Sequence, residues 1–266
     1  MERRIAFLAV IIPALLLTLS GCGSNMYEGL DDKDTKEARQ LEVVKHLDSG
    51  DYQWLLDRPS EVSATDYSAA AMGLAGLKPT ELIKSLNNMS TGIKNDLSPV
   101  AALSINPDAL GYLVEAKKKL IAERASKPDD PELNFQLTMT SLVSSLTALA
   151  QVGIANVAGF NPRDGISQSE AATLGNFVAA NPNAGVNADV DGDGSITGAD
   201  TLVVLVANDV TAINAALPKS QLGSGSDMSQ VLTSVTGSLD APNGVSDGPG
   251  VTAGDISSYL KNIFGK

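Results

Sequence analysis

Apolar residues recur every three or four positions along much of the chain, in segments that polar turns separate. Because residues at this spacing share one face of a helix, the pattern predicts amphipathic helices rather than strands. Ser49, Gly50 and Asp51 interrupt the first segment, and Pro59 ends the second. The first four helices are expected over residues 35–49, 52–58, 69–77 and 79–86.

A longer amphipathic helix is expected over residues 107–124. Its apolar side should face the core, while the three consecutive lysines Lys117, Lys118 and Lys119 should lie in solvent. The proline-containing stretch 127–131 is expected to end this helix and start the next one. The predicted apolar side consists of Leu110, Leu113, Leu120 and Ile121.

Residues 133–162 contain no charged side chain. This stretch is longer than the roughly 20 apolar residues that a membrane span needs. Polar residues such as Asn134 and Gln136 interrupt it, and its leucines keep a helical stripe. It is therefore predicted to be a buried central helix, with a membrane span as the alternative.

The composition changes after Gly159, where Gly, Asn, Asp, Ser and Thr become frequent and basic residues become rare until Lys219. A domain boundary is expected there. Aromatic residues make up only 4% of the chain, which favours packing of helices through small residues over a sheet sandwich. The predicted fold class is mainly α, with a helical bundle or hairpins over residues 35–158 and a small second domain over 159–266.

The chain has a formal net charge of −12. Nucleic acid and anionic lipid surfaces would repel such a protein, so neither is an expected partner. Divalent cations are favoured instead.

The N-terminus combines Arg3 and Arg4 with an apolar run over residues 5–19, which is typical of an export signal. It ends in the sequence Leu19-Ser20-Gly21-Cys22. This ending resembles the lipobox of bacterial lipoproteins, whose cysteine receives palmitate-type acyl chains before the signal is removed. The alternative is an ordinary secretory signal with a chance cysteine.

The resemblance implies a signal peptide over residues 1–21 and a lipidated tether over 22–34. Cys22 is the only cysteine in the chain, so no intramolecular disulfide can form. Gly23 follows it, whereas Asp at this position is the inner-membrane retention signal of enteric bacteria. The expected location is therefore the cell envelope, lipid-anchored at the outer membrane, facing either the periplasm or the exterior.

A calcium site is predicted in residues 189–200, where acidic residues alternate with glycines. Calcium takes six to eight oxygen ligands in a flexible shell, and alternating Asp side chains can turn inward as the chain curls. Gly194 permits the sharp turn that this requires. The alternative is an acidic turn that binds nothing. The predicted metal residues are Asp189, Asp191, Asp193, Ser195, Thr197 and Asp200.

This segment resembles a twelve-residue EF-hand loop, and more specifically the calcium repeat of dockerin modules. The resemblance implies a loop followed by an exiting helix, with Asp200 in the first turn of that helix and Ile196 packed on a partner loop. Partial echoes precede Glu170 and Asp255, since each acid has an apolar residue four positions before it. A degenerate loop of this kind is expected to serve as the structural partner, and whether either echo binds metal stays open.

The stretch over residues 44–56 resembles the turn of a tetratricopeptide helical hairpin, in which glycine ends one helix and an aromatic residue starts packing the next. An irregular helical bundle is the alternative. Trp54 is expected to be a core residue in either case.

A single histidine, His46, excludes both a Ser-His-Asp triad and a zinc site with two histidines. We therefore expect a non-enzymatic envelope lipoprotein that binds calcium structurally and acts as a scaffold or protein-interaction module. One alternative is a dockerin-type module that docks onto a cohesin-like receptor. The other is an envelope hydrolase that uses carboxylates.

Replacement of the predicted lipidated residue, Cys22→Ala, should leave an uncleaved precursor that incorporates no radiolabelled fatty acid. The thiol is the acceptor of the acyl chains, and the peptidase for lipoproteins acts on the acylated form. Ser24→Ala is the matched control and should be processed normally. Cleavage after Gly21 with acylation of the Cys22→Ala variant would disprove the assignment.

Overall fold

The computed structural model describes residues 35–76, 105–162, 166–222 and 250–264, together with isolated positions between 229 and 239. The expectations for Cys22, for the tether and for a helix over 79–86 lie outside these residues. The protein is mainly α, as predicted. The one pairing of extended backbone in the described part is an isolated bridge between Gly185 and Thr201.

Eight α-helices have described bounds, and two 3-10 turns accompany them. The helices are α1 (Lys36–Ser49), α2 (Tyr52–Leu56), α3 (Ala64–Leu74), α4 (Leu110–Ser126), α5 (Pro131–Asn156), α6 (Gln168–Ala180), α7 (Leu202–Ala216) and α8 (Ala253–Phe264). The 3-10 turns are Pro107–Ala109 before α4 and Leu217–Lys219 after α7.

The chain divides into two compact units, Met1–Ser49 and Gly50–Lys266. In the first, α1 carries Glu37 in its first turn and His46 in its last, an order that suits the helix dipole. The second contains α2 to α8. Helices α5 and α7 lie on opposite sides of the predicted boundary at residue 159, and they pack against each other within this second unit. The boundary itself stays a prediction.

Helix α5 is the centre of the second unit, and α3, α4 and α7 all pack against it. Asp130 caps its N-terminus by accepting from the backbone N–H groups of Glu132 and Leu133, and Pro131 occupies the first turn. The start of this helix is therefore where the proline-containing stretch predicted it. Helix α2 packs on α3, and α6 packs on α8.

The long uncharged stretch forms a core helix. By length and composition, α5 and the segment Leu202–Lys219 could each cross a membrane, but 78% of the most apolar window of α5 is buried inside the protein. The hydroxyls of Thr138, Thr140 and Thr147 donate to backbone carbonyls four residues earlier in the same helix. Buried hydroxyls thereby keep a hydrogen-bond partner without requiring water.

Three details of the prediction are wrong. The helix expected at residues 69–77 begins earlier, at Ala64, because the Ser63 hydroxyl caps it by accepting from the Asp66 N–H. Ile121 is 51% exposed rather than part of the core. The three lysines of α4 are not in solvent: Lys117 is buried, and Lys118 and Lys119 are half-buried.

Lys117 is buried because it forms an ion pair with Asp209 of α7, a residue with no exposed surface. The second carboxylate oxygen of Asp209 accepts a hydrogen bond from Ser145 of α5 at 2.9 Å. Burial raises the pKa of the Asp209 carboxyl, and the adjacent Lys117 ammonium opposes this rise. Three helices thus meet at one polar contact inside the core.

The Lys117→Met variant should be destabilised by about 3–5 kcal/mol, because it leaves the buried Asp209 carboxylate without its counter-charge. Denaturant unfolding at neutral pH measures this loss. The control Lys127→Met removes an exposed pair with Glu123 and should cost less than about 1 kcal/mol. The double variant Lys117→Met/Asp209→Leu should recover most of the lost stability. Equal stability of the Lys117→Met and Lys127→Met variants would show that the pair is not a structural contact.

Candidate metal centre

The acidic loop of residues 189–200 joins the region after α6 to the start of α7. Backbone hydrogen bonds close its base: the Val186 N–H donates to the Asp200 carbonyl, and the Leu202 N–H donates to the Ala184 carbonyl, each at 2.9 Å. The two ends of the loop are thereby held together. Thr201 then caps α7, since its hydroxyl accepts from the Val204 N–H.

Three carboxylates converge in this loop. One oxygen from each of Asp189, Asp191 and Asp193 lies within 4.8 Å of the others. Calcium holds its oxygens at about 2.3–2.6 Å, so two ligands of one ion are at most about 5 Å apart. The separation of the three oxygens fits this limit, and hard carboxylate oxygens are the donors that calcium and magnesium prefer.

Glycines at two positions allow the chain to curl around the carboxylates. Gly192 and Gly194 have φ angles of +82° and +88°, in the left-handed region that side chains disfavour. The Asp189 carboxylate accepts from both of their N–H groups, at 2.8 and 3.2 Å. Asp191 and Asp193 each accept from the N–H two residues further on. These hydrogen bonds from the backbone arrange the carboxylates within the loop.

Asp200 differs from the prediction in its position. Helix α7 begins at Leu202, so Asp200 precedes the exiting helix instead of lying in its first turn. Its side chain is fully buried and accepts from the N–H groups of Thr197, Val190 and Asp191, at 2.7, 2.6 and 3.3 Å. These backbone donors, Thr197 first, lower the pKa of Asp200. The carboxylate crosses the loop and ties its two halves together.

The remaining predicted ligands, Ser195 and Thr197, are both exposed. The Ser195 N–H donates to Asp193, and the Thr197 hydroxyl accepts from the Ala199 N–H at 3.1 Å. Each thus takes part in the turn structure of the loop. Coordination of a cation by Ser195 and Thr197 stays a prediction.

A lysine from α4 completes the surroundings of the carboxylates. The Lys118 ammonium lies 2.8 Å from an oxygen of Asp189, and both side chains are partly exposed. This hydrogen bond is the main reason why the pKa of Asp189 is lowered. The ammonium supplies one positive charge where three carboxylates would otherwise repel each other. Nothing in the local sequence of the loop indicates this contact, since the two residues are 71 positions apart.

Both echoes of the loop include the start of a helix, α6 in one case and α8 in the other. Ser167 and Glu170 form a capping box at the start of α6, in which each side chain accepts from the backbone N–H of the other. Thr252 and Asp255 make the same reciprocal bonds at the start of α8. An apolar residue just before the cap is typical of a hydrophobic staple. The repeated spacing of apolar residue and acid is therefore explained by helix starts.

The expected packing of Ile196 on a partner loop stays a prediction. Its side chain is 57% exposed, and in the described part of the chain the bridge beside the loop joins Gly185 to Thr201. Residues 163–165 and 240–249, which carry the acidic parts of the two echoes, lie outside the described residues. Trp54, expected in the core, is half-buried, with the Arg58 guanidinium 4.3 Å from the centre of its ring.

Comparison with known proteins adds no family to this description: no protein-family model, curated protein or solved structure matches the chain.

Removal of the competing ammonium, in the variant Lys118→Met, should tighten binding of calcium to the loop. A bivalent cation must displace Lys118 from Asp189, and methionine keeps the apolar stem without the charge. One charge-assisted contact of about 1.5 kcal/mol corresponds to roughly tenfold in the dissociation constant. Isothermal titration calorimetry on the full chain measures it, with Lys119→Met as the control. Weaker binding in Lys118→Met than in the control would show that Lys118 does not compete with the cation.

Proposed function

We propose that this protein is a lipid-anchored, non-enzymatic component of the bacterial cell envelope that binds calcium in residues 189–200 for structural reasons. The observation that carries the calcium assignment is the convergence of Asp189, Asp191 and Asp193, with one oxygen of each within 4.8 Å of the others. The chemistry of the donors supports a hard divalent cation, and the resemblance of the loop to calcium repeats favours calcium over magnesium.

The position of the loop supports a structural role for the cation. The loop leads directly into α7, which packs along α5 and contributes Asp209 to the buried ion pair. A cation that holds the loop closed would therefore also hold the start of a core helix. Among the described residues, Lys118 is the counter-charge that pairs with this cluster, through Asp189.

The expected affinity favours permanent occupancy over signalling. Extracellular calcium modules bind with dissociation constants of about 10⁻⁴ to 10⁻³ M. At a hundred times the dissociation constant, calcium adds about 2.7 kcal/mol to the free energy of unfolding. This is a large share of the 5–15 kcal/mol that is typical of folded domains.

The envelope location and the scaffold role rest on the sequence. A lipobox-like signal supports the anchor at Cys22, and the strongly acidic chain suits calcium rather than nucleic acid. We propose that the folded part, held at the membrane by its lipid, binds another envelope protein. Docking to a cohesin-like receptor and carboxylate-based hydrolysis are the alternative predictions.

Calcium should raise the thermal unfolding midpoint of the full chain by several degrees, because it binds the folded loop and not the unfolded chain. Asp193→Asn should lose most of this shift, since it removes one ligand charge but keeps the oxygen that accepts from Ser195. Glu170→Gln is the matched control: glutamine also completes a capping box, so the calcium shift should stay intact. Differential scanning calorimetry in calcium, magnesium and chelator measures the unfolding midpoints of the wild-type chain and both variants.

The same midpoint for the wild-type chain in calcium and in chelator would refute the structural role. Loss of the calcium shift in Glu170→Gln as well as in Asp193→Asn would refute the assignment to residues 189–200.

A further inference from the structure

Beside the acidic loop lies a groove between α4 and α7, with a volume of about 360 Å³. Its size falls in the range of about 300–1,000 Å³ that is typical of small-molecule sites. Val190 of the acidic loop and Leu137 of α5 are among its lining residues. The other apolar lining residues are Val114, Ile121, Ala212 and Ala215.

Three cationic side chains line this mainly apolar groove: Lys117, Lys118 and Arg124, all from α4. Asp209 is the only carboxylate among the lining residues that the structure describes. Two of these cations are already paired with carboxylates, Lys117 with Asp209 and Lys118 with Asp189. The partners described for the Arg124 guanidinium are neutral oxygens, so its charge is available to an anion. Charge complementarity selects an anion, and the apolar lining selects an apolar body attached to it.

Hydrogen bonds hold Arg124 and Lys118 in place, and both side chains have further N–H donors for a ligand. The Arg124 guanidinium donates to the Asn134 side chain at 2.7 Å and to the Ala215 carbonyl at 2.8 Å. Guanidinium has five N–H donors and ammonium has three, so the bonds described for Arg124 and the bond of Lys118 to Asp189 leave donors for a ligand. A ligand would find fixed charges that need little reorganisation.

We propose that this groove binds an anionic amphiphile with a single apolar chain, of the alkyl carboxylate class. The carboxylate would accept hydrogen bonds from Arg124 and Lys118, and the alkyl chain would cover the exposed side of Ile121 and the small residues of α7. A two-chain phospholipid is too large for this volume. The proposal stands on the groove and its charges and does not require calcium.

The test uses a medium-chain alkyl carboxylate that carries a diazirine, added to membranes containing the full-length protein. After photolysis, mass spectrometry identifies the labelled peptides. The label should fall on α4 and α7, and the carboxylate should label them about tenfold more than the matched alkyl alcohol, as one charge-assisted contact implies.

Variants test separately whether binding requires the positive charges and whether it requires the open volume of the groove. Arg124→Gln and Lys118→Met should each reduce carboxylate labelling several-fold, and Ala212→Trp, which fills the groove, should abolish it. Arg124 also holds neighbouring helices, whereas Lys118 is half-exposed, so Lys118→Met tests the charge requirement without a packing loss. Equal labelling by carboxylate and alcohol, or labelling that these variants leave unchanged, would overturn the proposal.

Lys118 contacts the acidic loop and the groove, which predicts that the two sites are coupled; this step rests on the proposed calcium function. A cation that takes over Asp189 would release the Lys118 ammonium toward the groove, so calcium should increase carboxylate labelling of the wild-type chain but not of Lys118→Met. If calcium raises the unfolding midpoint and leaves labelling unchanged, the coupling is wrong while the structural calcium site stands. If calcium changes neither, the calcium function itself fails.

Discussion

The buried ion pair between Lys117 and Asp209 is the contact on which the arrangement of the larger unit depends. It joins α4 to α7, and Ser145 adds α5 to the same contact. A charge inside the core is costly unless its partner is correctly placed, so α4 and α7 can approach each other only in the register that pairs these two residues. At the other end of the same interface, Arg124 reaches both Asn134 of α5 and a carbonyl of α7.

The close packing of α4 and α7 on α5 suits the composition of α5, which is rich in Ser, Thr and Leu. The helix contributes a face of small hydroxyl residues and leucines that both α4 and α7 can approach closely. The hydroxyls of Thr138, Thr140 and Thr147 are satisfied within the helix, so they need no partner from α4 or α7. Apart from Glu132 in its first turn, α5 carries no charged residue, and the buried ion pair comes from the neighbouring helices α4 and α7.

The same three lysines of α4 organise the acidic loop and the groove beside it. Lys117 faces the core, while Lys118 reaches Asp189 and Lys119 donates to the carbonyl of Pro59. Each lysine thus has a different acceptor, from a different part of the chain. A calcium-binding loop and a cationic groove become neighbours because one side chain, Lys118, borders both.

Helix starts account for most of the internal repetition in the chain. The combination of an apolar residue, a hydroxyl residue and an acid three positions later occurs at the starts of α3, α6 and α8. The hydroxyl caps all three helices, and the acid completes a reciprocal bond at α6 and α8. The acidic loop contains the same combination, in which Thr197 donates to Asp200, but α7 begins later, at Leu202. Pattern alone therefore could not distinguish a capped helix from a degenerate metal loop.

Local chemistry was sufficient to predict the helical class, the start of α5 at Asp130 and Pro131, and the meeting of Asp189, Asp191 and Asp193 around Gly192 and Gly194. All of these depend on residues within one or two turns of each other, where spacing, caps and glycine conformation decide the structure. The sequence did not reveal that Lys117 is buried, that Lys118 contacts Asp189 or that Asp209 is fully enclosed, because these contacts join residues 71 and 92 positions apart. Lys117, Lys118 and Lys119 have the same side chain, so the local sequence does not distinguish their environments. Only the tertiary packing of α4 gives each of them a different neighbour, and so decides which one is in the core, which one meets the candidate metal site, and which one bonds the Pro59 carbonyl.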